Sequence, residues 1–158
     1  VGLPNAGKST LLSALSSARP KIADYPFTTL EPQLGIVKFG EYSSFVMADI
    51  PGLIKGASDG KGLGHKFLKH IERNKMHLYL IDCQELEPLK TFEILKNELK
   101  SFNKNLVEKP YLICRTKSDL NTEYSNEWDN IDEDILDISS INKDGIDLLV
   151  SSVAALLK

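Results

Sequence analysis

The sequence predicts an α/β fold in three layers: a mostly parallel sheet with one antiparallel edge strand, and helices on both faces. Three observations predict it. Strand-like and helix-like patterns alternate along the chain. The runs His77–Cys83 and Tyr111–Cys114 are short and mainly apolar, as strands covered on both faces are. A G-x-x-x-x-G-K-[ST] stretch, Gly2–Ser9, stands directly before a helical pattern.

The elements follow in order. From Lys8 to Ser17, Leu11, Leu12 and Leu15 recur at helical spacing. Residues 19–32 contain Pro20, Pro26 and Pro32 and read as an irregular loop. Gln33–Phe39 and Ser44–Ile50 form two strands around a tight turn at Gly40-Glu41. Residues 51–64 are glycine-rich and loop-like, and His65–Asn74 places Phe67, Leu68 and Ile71 on one helix face. Leu89–Phe102 is an amphipathic helix between the two apolar strands, Ile135–Ser139 a last strand, and Ile146–Leu157 a closing helix. A phosphate loop of this kind follows a central strand, yet only Val1 precedes Gly2. The expectation is therefore a single nucleotide-binding domain over residues 1–158, a fragment that starts at its phosphate loop.

Length and composition fit that picture. A chain of 158 residues, 42% hydrophobic and 26% charged, is of a size to bury one core. No apolar run is long enough to span a bilayer, and the first residues lack the layout of a secretion signal. Cys83 and Cys114 sit in apolar runs and read as core thiols, which points to a reducing cytoplasm. Charge is uneven. Lys61, Lys66, Lys69, Arg73 and Lys75 cluster against one acid, Glu72, whereas no Lys or Arg occurs from Ser118 to Asn142. The first cluster is either a face for a polyanion or solvated surface.

The phosphate loop carries the chemistry. Gly2 and Gly7 let the backbone curl so that successive N–H groups point inward. The following helix presents its positive end. Lys8 supplies a point charge for β and γ phosphates, and the Ser9 hydroxyl can ligate Mg²⁺. Asp49-Ile50-Pro51-Gly52 ends a strand, where a carboxylate can hold the metal's shell opposite Ser9 and the Gly52 N–H can approach the γ phosphate. Thr28-Thr29 lies between, and one hydroxyl can complete the Mg²⁺ sphere when that phosphate is present. After the Tyr111–Cys114 strand come Thr116-Lys117-Ser118-Asp119. A carboxylate at Asp119 accepts from the two N–H donors on one edge of guanine, which adenine does not present. The Lys117 stem can lie over the base. Ser139, Ser140 and Ile141 follow the last strand, with backbone N–H groups for the guanine carbonyl.

The segments GLPNAGKST, ADYPFTTLEP, ADIPGLIKGASDGKGLGHKFLKHIER and TKSD together resemble the G domain of the Obg family of bacterial GTPases, a P-loop NTPase fold. The resemblance spans nearly the whole chain, and residues 56–64 are its most specific part. It implies a cytoplasmic, Mg²⁺-dependent GTPase that works with the large ribosomal subunit, its RNA and proteins, mainly in assembly, and is linked to growth and stress control. Carried over by motif, Lys8, Thr29 and Gly52 are the catalytic set and Ser9, Thr29 and Asp49 the metal set. The nucleotide-contacting set is Gly2, Pro4, Asn5, Ala6, Gly7, Lys8, Ser9, Thr10, Phe27, Thr28, Thr29, Asp49, Pro51, Gly52, Thr116, Lys117, Asp119, Leu120, Ser139, Ser140 and Ile141. Relatives with Asn at the place of Asn5 can bind K⁺ beside the phosphates, which makes Asn5 a K⁺ candidate; an amide that stabilises the loop is the alternative.

One residue departs from the family's pattern, and a second bears on the rate. The family usually has Asn where this chain has Thr116, so contacts to the base and to the phosphate loop should weaken, affecting affinity more than specificity. Leu53, after Gly52, cannot orient a water by hydrogen bonding, as in the family generally, so turnover should be slow. A second reading is a nucleotide-sensing ribosome-interaction module with negligible turnover. The resemblance also implies domains at both ends that this sequence does not carry. His65, His70 and His77 read as surface or core residues, and the basic cluster of residues 61–75 is the candidate for ribosomal RNA.

Overall fold

The computed structural model describes residues 1–23, 32–49, 71–120 and 123–158. Six strands and three α-helices occur in them: α1 Lys8–Leu15, β1 Lys21–Ile22, β2 Gln33–Phe39, β3 Ser43–Asp49, β4 His77–Asp82, α2 Pro88–Phe102, β5 Tyr111–Thr116, β6 Ile135–Asp137 and α3 Ile146–Leu157. Two 3-10 turns, Lys104–Glu108 and Asn126–Asn130, flank β5. The strands form two sheets of three, β1-β2-β3 antiparallel and β4-β5-β6 parallel.

The α/β class holds, with a larger antiparallel share than the sequence suggested. Lys21–Ile22, inside the expected irregular loop, pairs with Gln33–Leu34. In β2 and β3 Phe39 faces Ser43, closing a tight turn over the residues between. The predicted helix His65–Asn74 falls mostly outside the described residues.

Alternation along β4 and β5 explains the layers, because successive side chains of a strand point to opposite faces. Tyr79, Ile81 and Ile113 face one way and pack with Phe92, Leu95 and Leu99 of α2, and with Leu106 and Trp128 of the two 3-10 turns. Tyr79 meets Phe92 and Tyr111 edge-on, with centroids 5.1 and 5.5 Å apart. Leu80 and Cys114 face the other way and pack with Leu11, Leu15, Leu149 and Val153 of α1 and α3. Pro88 opens α2, where its fixed φ and missing N–H cost nothing.

Val1 and Gly2 run parallel to β4. The Val1 nitrogen donates to the Leu78 carbonyl at 2.7 Å, the Leu80 N–H to the Val1 carbonyl at 2.8 Å, and Gly2 bridges Leu80. A cavity of about 140 Å³ lies beside Val1, between β3 and β4, walled by Leu11, Leu12, Phe45, Met47 and Leu78. The phosphate loop thus leaves from a strand-like pairing next to β4. Two acids of the segment that lacks Lys and Arg have partners in the fold: the Tyr111 hydroxyl donates to Glu133 at 2.7 Å, and Arg115 donates to Asp137 at 2.8 Å while lying 3.6 Å above the Tyr124 ring.

His77 starts β4 and is 6% exposed, and among the described residues its Nε2 has no partner. Burial above all, with the positive charge of Lys109 adding to it, pushes its pKa down to about 4, against a hydrogen bond to the Leu106 backbone. The unfolded chain, titrating near the ordinary 6.5, takes up this proton first. Stability from a neutral His77 is therefore full above that value and is lost as pH falls from it towards 4. Between pH 7 and pH 5 the loss should be about 2 kcal/mol. Urea unfolding at both pH values should show that increment in the unmodified chain and lose it in His77→Phe; equal losses in both would remove His77 as the cause.

A nucleotide site at the strand ends

The phosphate loop is shaped by two left-handed residues, Asn5 at φ 68° and Gly7 at φ 94°. Alternation of this kind makes a concave nest of N–H groups that suits an anion. Gly7 is also the N-cap of α1, with no side-chain cap, so the helix's first N–H groups face outward. Gly2 is glycine for another reason than the curl expected of it. A Cβ there would lie 2.8 Å from the Leu80 carbonyl oxygen and 3.0 Å from Ala6 Cβ, so the residue permits close packing on β4.

Lys8 folds back over its own loop. Its ammonium donates to the Gly2 carbonyl at 2.8 Å and the Leu3 carbonyl at 3.1 Å, leaving a third donor for a phosphate. Burial lowers its pKa, and Asp49 acts the other way.

The Ser9 hydroxyl donates to Asp49 Oδ2 at 3.0 Å, joining the start of α1 to the end of β3. Asp49 Oδ1 is buried and has no hydrogen-bond partner among the described residues. An orphan carboxylate oxygen beside a hydroxyl is a hard-oxygen pair of the kind Mg²⁺ takes. The residues present therefore fit that ion.

The turn that carries Asp119 starts at the end of β5. Thr116 is 4% exposed, and its hydroxyl donates to the Ala6 carbonyl at 2.8 Å. Lys117 adopts a left-handed φ of 57° and pairs with Asp82 at 2.8 Å. The Ser139 hydroxyl donates to Asp119 Oδ1 at 2.7 Å, and Ser139 itself is fully buried. One carboxylate oxygen of Asp119 is thus fixed, and the group is aimed by a neighbouring strand end.

The profile of a family described as "50S ribosome-binding GTPase" matches residues 1–117. The chain belongs to that family. It is also 52% identical over 158 residues to GTPase Obg of Bacteroides fragilis strain YCH46, covering 99% of this chain and 38% of that protein. Within the family it is of the Obg type, and it spans well under half the length of that relative. Among solved structures, the G domain of the T. maritima FeoB iron transporter superposes with a TM-score of 0.73 at 20% identity, covering 100% of this chain and 96% of that one. A point variant of Aquifex aeolicus Era bound to GDP·AlF4⁻ superposes with a TM-score of 0.68 at 26% identity, covering 96% of this chain and 53% of that one.

In this Obg-type chain, Thr116 reaches the phosphate loop through its hydroxyl. What the hydroxyl lacks is a second donor, since its one hydrogen is committed to Ala6. Thr116→Val should leave that carbonyl unpaired in the interior and destabilise the chain by about 1–3 kcal/mol. Chemical denaturation checks this, and a loss below about 0.3 kcal/mol would mean the bond contributes little.

Ser139 does not offer its backbone N–H to a base, as the sequence reading supposed. That N–H donates to the Asp144 carbonyl at 3.0 Å, so its contribution comes through the hydroxyl. Ile141 and Leu120 are exposed beside it, and Ser140 is half-buried. Phe27, Thr28, Thr29, Pro51, Gly52 and Leu53 lie outside the described residues, as do Lys61, His65, Lys66, Lys69 and His70. Asp82 and Cys83, which no motif singles out as site residues, contact Lys117 from the carboxyl end of β4, where ligands gather in this fold.

Proposed function

We propose that this chain binds guanine nucleotides with Mg²⁺ and slowly hydrolyses GTP, as a switch that acts with the large ribosomal subunit in the cytoplasm. One observation supports it above the others: the turn bearing Asp119 is tied through Thr116 to Ala6 of the phosphate loop. A base held by the turn and phosphates held by the loop are then parts of one rigid frame. In this reading Gly2–Ser9 enclose the phosphates, Asp119 reads the base, the Lys117 stem covers it and Ser139 holds Asp119 in place. Ser9, Asp49 and Thr29 would hold Mg²⁺, which, when bound, offsets charge on the β and γ phosphates. Thr29 and Gly52 respond to the γ phosphate.

The family description supports a ribosomal partner, and the resemblance to the Obg family points the same way. The role in subunit assembly and in growth and stress control comes from the same likeness, and the basic cluster Lys61, Lys66, Lys69, Arg73 and Lys75 is the surface proposed to meet ribosomal RNA. Among the described residues no helix is long and apolar enough to cross a membrane.

Asn5, with its left-handed backbone at the loop's crest, is the proposed K⁺ ligand. Single-turnover phosphate release from Mg²⁺–GTP, followed in KCl and NaCl at matched ionic strength and with or without ribosomes, tests the whole. The expected result is slow release, faster in KCl, and slower in Asn5→Ala. Equal rates in the two salts would remove the K⁺ role. Tight GTP binding with no release under any condition would favour the second reading, a nucleotide-sensing module, to which the apolar Leu53 also points.

A further inference from the structure

The base-reading turn hinges on one carbonyl. Lys117 O accepts the Leu120 N–H at 2.9 Å, closing the turn that carries Asp119. It accepts a second bond, from the Cys83 thiol, at 3.0 Å. Both lone pairs of this oxygen are therefore engaged, and the peptide plane between Lys117 and Ser118 is held from both sides. Lys117 needs such a hold, because its φ of 57° is a conformation that side chains other than glycine, Asn and Asp rarely adopt. Cys83 is well placed to provide it. It is 1% exposed, and its own N–H donates to the Thr116 carbonyl at 2.9 Å, so its thiol is locked against β5. Burial, with Asp82 and Asp119 adding to it, raises its pKa, which keeps the sulfur protonated and able to donate.

We propose that Cys83 is a positioning residue for guanine recognition: through the Lys117 carbonyl its thiol sets the orientation of the turn that presents the Asp119 carboxylate. Asp119 is then located by two independent bonds, Ser139 on its side chain and Cys83 on its turn. The thiol touches no ligand itself. This inference rests on the guanine-binding reading above and adds to it a residue that positions Asp119 for specificity.

Specificity gives the readout. Inosine diphosphate lacks the exocyclic amino group that Asp119 would bind, so the ratio of GDP to inosine diphosphate affinity reports where the carboxylate sits. Both ligands are titrated with Mg²⁺ into the full chain and into Cys83→Ser, Cys83→Ala and Cys83→Val, with folding checked by thermal unfolding. Cys83→Ser keeps a donor and should hold the ratio within about twofold. Cys83→Val and Cys83→Ala, which lose it, should lower the ratio about fivefold or more, chiefly through GDP. If Val does not fold, the smaller Ala carries the test. A folded Ala or Val variant with an unchanged ratio, whether both affinities fall together or neither does, overturns the role of Cys83 while leaving the guanine reading intact. An unmodified chain that does not discriminate the two ligands brings down that reading, and this proposal with it.

Discussion

Asp119→Asn should weaken GDP binding by about a hundredfold or more and turn the preference towards xanthosine diphosphate. The carboxylate offers acceptors only, and a guanine edge offers two N–H donors in return. An amide exchanges one acceptor for a donor, which then faces another donor. A site built to pair with a ligand's N–H loses far more from such a mismatch than from a lost methylene. Xanthine carries a carbonyl where guanine has its amino group, so the new donor finds a partner there. The scaffold should survive, because the Ser139 hydroxyl can still donate to an amide oxygen at the position of Asp119 Oδ1. Competition titrations with GDP, xanthosine diphosphate and ADP decide it. Undiminished GDP affinity would remove Asp119 from the site.

Lys8→Ala should cost a comparable factor at the other end of the nucleotide, about a hundredfold in GTP affinity. The ammonium is the loop's only side-chain cation, and two of its donors already brace the Gly2 and Leu3 carbonyls. Its removal takes a charge from the phosphates and a brace from the loop at once. A charge-assisted bond to phosphate is worth roughly twice a neutral one, and a buried brace adds to that. Because binding loss and loop loosening act together, thermal unfolding without nucleotide should be compared alongside. A stable variant that binds GTP within about threefold of the unmodified chain would refute the assignment of residues 2–9 as the phosphate site.

The order of elements was legible because period-two and period-3.6 patterns are written in single residues. Leu11, Leu12 and Leu15 mark α1, and the apolar runs of β4 and β5 mark buried parallel strands. Candidate ligand residues at strand ends could be named for the same reason, since each belongs to a short motif with its own chemistry. What pairs two distant motifs was not legible. The Thr116 hydroxyl reaches Ala6 across 110 residues, and Cys83 reaches Lys117 across 34. Neither bond leaves a local pattern, and a cysteine in an apolar run looks the same whether its thiol is idle or donating. Ser139 was misread in a related way. Its motif suggested backbone donors, yet the Asp144 carbonyl takes that N–H once the turn closes. Gly2 was assigned to flexibility when it serves proximity to Leu80, a distinction only a third dimension makes.

Strand β4 has each of its faces assigned to different helices, Tyr79 and Ile81 to one layer and Leu80 to the other. A single residue inserted within His77–Asp82 would exchange those assignments wholesale, pushing aromatic rings into the space shaped for leucine. The same slip would carry Asp82 and Cys83 away from Lys117, since they are the next beads on the string. Core and proposed base site thus share one ruler along this strand, and lengthening that is harmless in a surface loop would here erase both together.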